Sequence, residues 1–126
     1  MILEVATLNV KIGQESQFEA EFDRAQGIIC TMKGYIAHQL QKCVEHPNRY
    51  MLFIQWETLE DHTQGFRGSP AYQDWKRLLH HFYDPFPNVE HYEKVYSSSS
   101  SELSGSTAEE EKPWRSSRNS GSGPTT

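Results

Sequence analysis

Apolar residues recur along the first 96 positions at two different spacings, and the changes of spacing divide that stretch into elements. Ile2 to Val10 has the alternation of a strand, which Gly13 ends. From about Gln14 the spacing becomes helical, with Phe18, Phe22, Ala25 and Ile29 on one stripe. Lys33 in the last turn and Gly34 just beyond it are C-terminal signals for this helix. Tyr35 to Val44 reads as a second strand, EHPNR as a turn, and Tyr50 to Glu57 as a third strand. Thr58 caps a short helix carrying Leu59, His62 and Phe66, which Gly65 and Gly68 loosen and end. Ser69-Pro70 starts a new helix, a capping residue followed by proline at the first helical position. That helix presents Tyr72, Trp75, Leu78, Leu79 and Phe82 on one side. DPFPN breaks it, and Val89 to Tyr96 makes the last strand.

The resulting order, β-α-β-β-α(α)-β, predicts an α+β fold: a ferredoxin-like sandwich with an antiparallel sheet and its helices on one face. The third strand points Tyr50, Leu52, Ile54 and Trp56 one way, and Met51 and Phe53 the other. The first strand sets Ile2, Ala6, Leu8 and Val10 against Leu3 and Val5. Helices cover only one face of such a sheet, and its other face normally alternates with polar residues to meet water. Apolar residues on both faces predict a homodimer whose two sheets pack together, as a dimeric α+β barrel. The competing explanation is that some of these side chains simply sit exposed.

Composition changes this picture mainly at the C-terminus. From Ser97 the chain reads SSSSSELSGSTAEEEKPWRSSRNSGSGPTT, with Leu103 and Trp114 its only large apolar residues. We therefore expect a domain over 1–96 and a disordered Ser-rich tail over 97–126. A formal net charge of −5 on 126 residues, with scattered basic residues, argues against a nucleic-acid partner. No apolar run approaches the ~20 residues of a membrane span. MILEVATLNV lacks the features of a signal peptide. Cys30 and Cys43 read as free thiols in a reducing cytoplasm.

Several short motifs run in a fixed order through the domain. They are Lys11 to Gly13 after the first strand, Met32-Lys33-Gly34-Tyr35 at the helix exit, and Trp56-Glu57-x-x-Glu60-Asp61-His62. Phe66, Gly68-Ser69-Pro70 and Tyr72 follow. Together these resemble the antibiotic biosynthesis monooxygenase family of dimeric α+β barrels, over nearly all of residues 1–96. The resemblance implies one of three things: a cofactor-independent monooxygenase acting on a phenolic or quinol compound, a haem-degrading enzyme, or a non-catalytic protein. Haem-degrading members place an asparagine, a tryptophan and a histidine where this chain has Ala6, Phe66 and Lys76. An iron at that site would lack its axial imidazole, so no cofactor is expected.

A cofactor-free oxygenase needs an apolar cavity, a base or hydrogen-bond acceptor, and donors for a developing oxyanion. Among six histidines, His62 lies about 50° from the Leu59/Phe66 stripe and faces inward. On the next helix, His80 falls about 150° from the apolar stripe and should face solvent, while His81 falls about 110° away on a flank. His62 is therefore the candidate base, kept neutral by burial, and the Tyr72 hydroxyl is a candidate donor. Trp56, Phe66, Trp75 and His81 are the candidate substrate-binding residues. The plainer account of His62 is a core histidine bonded to a carbonyl, and of the aromatics a core cluster. No metal site is expected, because no carboxylate or cysteine completes one beside His80-His81. The two functional expectations are a phenol- or quinol-oxidising monooxygenase and a non-catalytic ligand-binding or stress-response dimer. A cavity smaller than ~300 Å³ beside His62 would remove the first.

Overall fold

The computed structural model describes residues 1–100. Contacts along the chain divide after Glu93, so the first compact unit is Met1–Glu93. Most of the serine-rich segment, residues 101–126, lies outside the described residues. The element order is β1 (Ile2–Asn9), α1 (Glu15–Ile29), β2 (Tyr35–Lys42), β3 (Arg49–Trp56), a π-helical turn (Asp61–Phe66), α2 (Pro70–Leu79), a 3-10 turn (His80–Phe82) and β4 (Asn88–Tyr92).

The four strands form one sheet in the order β2-β3-β1-β4. Every neighbouring pair is antiparallel. The βαββαβ order and the two main helices agree with the ferredoxin-like expectation. The core follows from strand parity. Ala6, Leu8 and Val10 of the first strand segment, and Tyr50, Leu52, Ile54 and Trp56 of β3, are all buried on one face. Phe18, Phe22, Ala25 and Ile29 of α1 join Trp75 and Leu79 of α2 in the same cluster. The apolar stripes read from the helical period are thus what fastens both helices to the sheet.

The opposite face is apolar only along its centre. Leu3, Val5, Met51 and Phe53 are half-buried there. Their cross-strand partners on the outer strands include Gln39 and Gln41 of β2 and Glu90 of β4, so the apolar stripe has polar edges. Gln55, on the same side of β3, is buried, and its Nε2 has no hydrogen-bond partner among the described residues.

Several boundaries differ from expectation. α1 stops at Ile29, so Lys33 is not in its last turn. The Thr31 and Met32 amides bond to the Ile28 and Ile29 carbonyls, three residues back, and this tighter winding carries the chain to Gly34. Gly34 has the positive φ of 84° that a turn residue needs. Leu59 is exposed and takes no part in an inward stripe. β4 ends at Tyr92 and does not run on to Tyr96, while Val95 and Tyr96 are exposed. Ser69 caps α2 as expected, its Oγ accepting from the Tyr72 amide at 3.2 Å with Pro70 following. Among the described residues, no helix is long and apolar enough to cross a membrane.

Candidate active site

The space between the sheet and α2 is not filled. A cavity of about 420 Å³ has Glu4, Ala6 and Leu8 of β1 and Leu52 and Ile54 of β3 as its floor. Small Ala6 at its centre leaves room that a larger residue would take. The π-helical turn contributes His62 and Phe66. In that turn the Arg67 amide bonds to the His62 carbonyl, five residues back. His62 and Phe66, four residues apart, lie on one face of this turn, as they would in an α-helix. Tyr72, Trp75 and His80 form the α2 side, and exposed Arg67 and Phe86 also line the space.

Of the residues anticipated from sequence, His62, Phe66, Tyr72 and Trp75 all reach this cavity. Phe66 sits edge-on to both Tyr72 and Trp75, with ring centroids 5.2 and 5.7 Å away. The Tyr72 hydroxyl makes no hydrogen bond among the described residues and is available to a ligand. Trp56 was anticipated as a wall and is not one. It is fully buried behind the cavity, stacked on the His62 ring at 5.5 Å with 19° between planes. His81 is the second correction: it is exposed, with Nε2 on the Leu78 carbonyl, and lines no part of the cavity. His80, expected in solvent, lines it instead. α2 ends at Leu79 and the chain tightens to a 3-10 turn, so the 100° advance assumed for these two histidines does not hold.

The residue missed from sequence is Glu4. It stands on the apolar face of β1 with Ala6 and Leu8 and is only 6 % exposed. The Trp56 indole Nε1 donates to its Oε1 at 2.9 Å, and His62 Nε2 lies 3.3 Å from the same oxygen. His62 Nδ1 in turn lies 2.8 Å from His91 Nε2 on β4. Burial pushes the Glu4 carboxyl from 4.5 up to about 7, against the lowering effect of the Trp56 hydrogen bond and the Arg67 charge. Burial lowers His62 to about 3, helped by the charges of Arg67 and His91. His62 is therefore neutral at physiological pH, as anticipated, but too weakly basic to hold a proton there. Glu4 titrates in the range a general base needs. A carboxylate at an even position among the apolar even positions of β1 was the available signal.

The haem positions can be revisited on this geometry. Ala6 and Phe66 are cavity wall, Lys76 is exposed, and both His62 nitrogens already face Glu4 and His91. None of these four residues offers an axial ligand to a haem iron. Among the described residues, no group of three histidine, cysteine or acidic side chains is placed to hold a metal ion.

Comparison with known proteins agrees with the fold. Residues 1–78 match the family model described as antibiotic biosynthesis monooxygenase. The chain is 57% identical over 95 residues to YczJ of Bacillus subtilis (strain 168), covering 75% of this chain and all of that protein. A crystal structure from Bordetella bronchiseptica, assigned to the same family, superposes with a TM-score of 0.73 at 34% identity, covering 75% of this chain and 97% of that one. A variant of SnoaB, a cofactor-independent oxygenase from Streptomyces nogalater, superposes with a TM-score of 0.67 at 16% identity, covering 76% of this chain and 94% of that one. At that identity SnoaB shares the fold alone. The match over most of the folded unit, with the close sequence relative, shows that this chain belongs to the antibiotic biosynthesis monooxygenase family.

Proposed function

We propose that the protein is a cofactor-independent monooxygenase that oxidises a small phenolic or quinol-type compound with O₂. The observation that carries this reading is the 420 Å³ cavity, which joins an apolar floor to a buried carboxyl poised near neutrality. The volume exceeds the ~300 Å³ at which small-molecule sites begin. Phe66 and Trp75 offer ring faces and edges to an aromatic substrate. The Tyr72 hydroxyl is placed to hydrogen-bond a substrate oxygen as negative charge develops on it.

In this reaction the substrate is its own reductant. Its hydroxyl loses a proton to the protein, and the electron-rich anion passes an electron to O₂. The two radicals combine as a peroxide, whose outer oxygen leaves as water. A hydroquinone and O₂ thus give a hydroxyquinone and water, with both atoms of O₂ accounted for.

The same proposal includes a homodimer formed by the sheet faces that the helices leave open. Leu3, Val5, Met51 and Phe53 supply the apolar centre, with glutamines and Glu90 at the rim. We place the protein in the cytoplasm, where its free Cys30 and Cys43 stay reduced.

Oxygen uptake with a panel of hydroquinones and anthrone-type phenols tests the reaction. We expect uptake with at least one of them, and one atom of ¹⁸O₂ in the product. Saturable binding of the same compounds without oxygen uptake would identify a binding module on the same fold.

A further inference from the structure

A base at the floor of a cavity that substrate closes can exchange protons with solvent only through its protein neighbours. Glu4 on β1 and His91 on β4 are direct cross-strand partners, so both rise from the same face of the sheet. His62 descends between them from the π-helical turn. Its Nε2 lies 3.3 Å from Glu4 Oε1 and its Nδ1 lies 2.8 Å from His91 Nε2. The stacked Trp56 ring fixes the imidazole plane, and the Trp56 Nε1 bond fixes the carboxyl. β4 is an edge strand, and His91 is only half-buried on it. Three titratable side chains thus run from the cavity floor to the molecular surface.

We propose that Glu4 takes the substrate's hydroxyl proton, and that His62 and His91 carry protons between Glu4 and solvent. This rests on the monooxygenase reading above. The outward step breaks the substrate O–H bond and forms an O–H bond on Glu4. The acid proton then passes to His62 Nε2 as the Nδ1 proton of that ring passes to His91 Nε2. His91 releases its Nδ1 proton to water. Each imidazole gains one proton and loses one, so the Glu4 carboxylate is restored and both imidazoles end neutral.

The donors now point inward, with His91 Nε2–H toward His62 and His62 Nε2–H toward the carboxylate. That is the arrangement needed for the return step. The reaction ends by expelling one oxygen as water, which consumes a proton and draws one inward along the same path. Each turnover therefore reverses the chain twice and resets it, so neither buried ring has to turn over.

The groups facing Glu4 are Trp56 from β3, His62 and Arg67 from and beside the π-helical turn, and His91 from β4. Tyr72 and His80 of α2 and Tyr83 beyond it face the same space. Arg67 opposes a positive charge on either relay histidine, which favours this neutral, concerted transfer over an imidazolium intermediate.

The test is a pH titration of the full-length protein, following the imidazole nitrogens by ¹⁵N NMR and the Glu4 carboxyl by ¹³C NMR. We expect the His62 proton to move from Nδ1 to Nε2 with the same midpoint as Glu4, near pH 7. In Glu4→Gln the switch disappears. A His62 ring that keeps one tautomer while Glu4 titrates overturns the relay.

Turnover provides the second arm. With a phenol that the wild type oxidises, Glu4→Gln lowers kcat by about 10² or more with little change in KM. His91→Gln, at a half-exposed position, also loses turnover and regains it with added imidazole. Wild-type turnover in Glu4→Gln removes Glu4 as the base. A wild type that oxidises no phenol overturns the monooxygenase reading, and the tautomer switch then decides separately whether the relay exists.

Discussion

Glu4 and His62 sit 3.3 Å apart in one buried pocket, yet burial acts on them with opposite sign. The folded protein holds a proton on Glu4 between pH 4.5 and about 7 that the unfolded chain has released, so this contribution to stability fades as pH rises through 7. His62 behaves in reverse. Between 6.5 and about 3 the unfolded chain takes up a proton that the folded state refuses, so stability falls as pH falls. His80 and His91, also lowered by burial, add to the acid side. The opposed slopes largely offset each other between 4.5 and 6.5, leaving Glu4 to act alone toward pH 7. Urea unfolding at about pH 5 and about pH 8 should therefore show a wild type of similar stability at the two values, because a loss of about 2.5 kcal/mol from Glu4 is met by a gain of about 2 kcal/mol from His62. Glu4→Gln keeps only the histidine slope and should be less stable at pH 5 than at pH 8 by about 2 kcal/mol; the same small difference in both proteins would exclude a proton held by Glu4. At this scale His62 was legible, because a helix face of apolar neighbours marks an inward imidazole. Glu4 was legible only by strand parity. His80 and His81 exchanged places because their positions depend on where a helix tightens, which a fixed angular period cannot register.

The elements meet at one crowded junction between the start of β2 and the π-helical turn. Gly34 accepts from the Glu57 amide at 2.8 Å, Thr58 Oγ1 accepts from the Asp61 amide at 3.1 Å, and Lys33 Nζ lies 3.4 Å from Asp61. A Cβ on Gly34 would overlap the Asp61 carboxylate. Gly13 has a similar positive φ of 93° but nothing close to it. The two glycines therefore separate backbone strain from crowding. Gly13→Ala should cost about 1–2 kcal/mol, the ordinary left-handed penalty. Gly34→Ala should cost about 3 kcal/mol or more, because it also displaces the Asp61 side chain that closes this junction. Adding Asp61→Ala should recover part of that loss in a double-mutant cycle measured by urea unfolding. Equal costs at the two glycines would rule out the overlap. Gly34 was legible as a turn signal, and so was the Ser69-Pro70 start of α2. The π-helical winding was not, since no periodic pattern in so short a segment distinguishes it from an α-turn. The pairing of His62 and Phe66 on one face was legible all the same, because residues four apart share a face in either winding.

At the scale of the whole molecule, the sheet is a partition one residue thick with different work on each side. Along β1, Glu4, Ala6 and Leu8 line the cavity, while Leu3 and Val5 face away from it. A substitution on the outer side of the sheet can therefore test the proposed dimer without entering the active site. Phe53 is the natural choice, since it pairs with Val5 on one side and Gln39 on the other, at the middle of the apolar stripe. Phe53→Glu would place a carboxylate opposite its own symmetry-related surroundings, where burying an unpaired charge costs several kcal/mol. Sedimentation equilibrium should give a dimer for the wild type at micromolar concentration and a monomer for Phe53→Glu. The melting temperature of the wild type should rise with protein concentration, because association stabilises only the folded state, and that dependence should vanish in the variant. A domain of this size buries only roughly 60–65% of the surface its unfolded chain exposes, so the monomer should melt lower as well as assemble less. A wild type that sediments as a monomer would mean that the stripe of Leu3, Val5, Met51 and Phe53 is merely exposed.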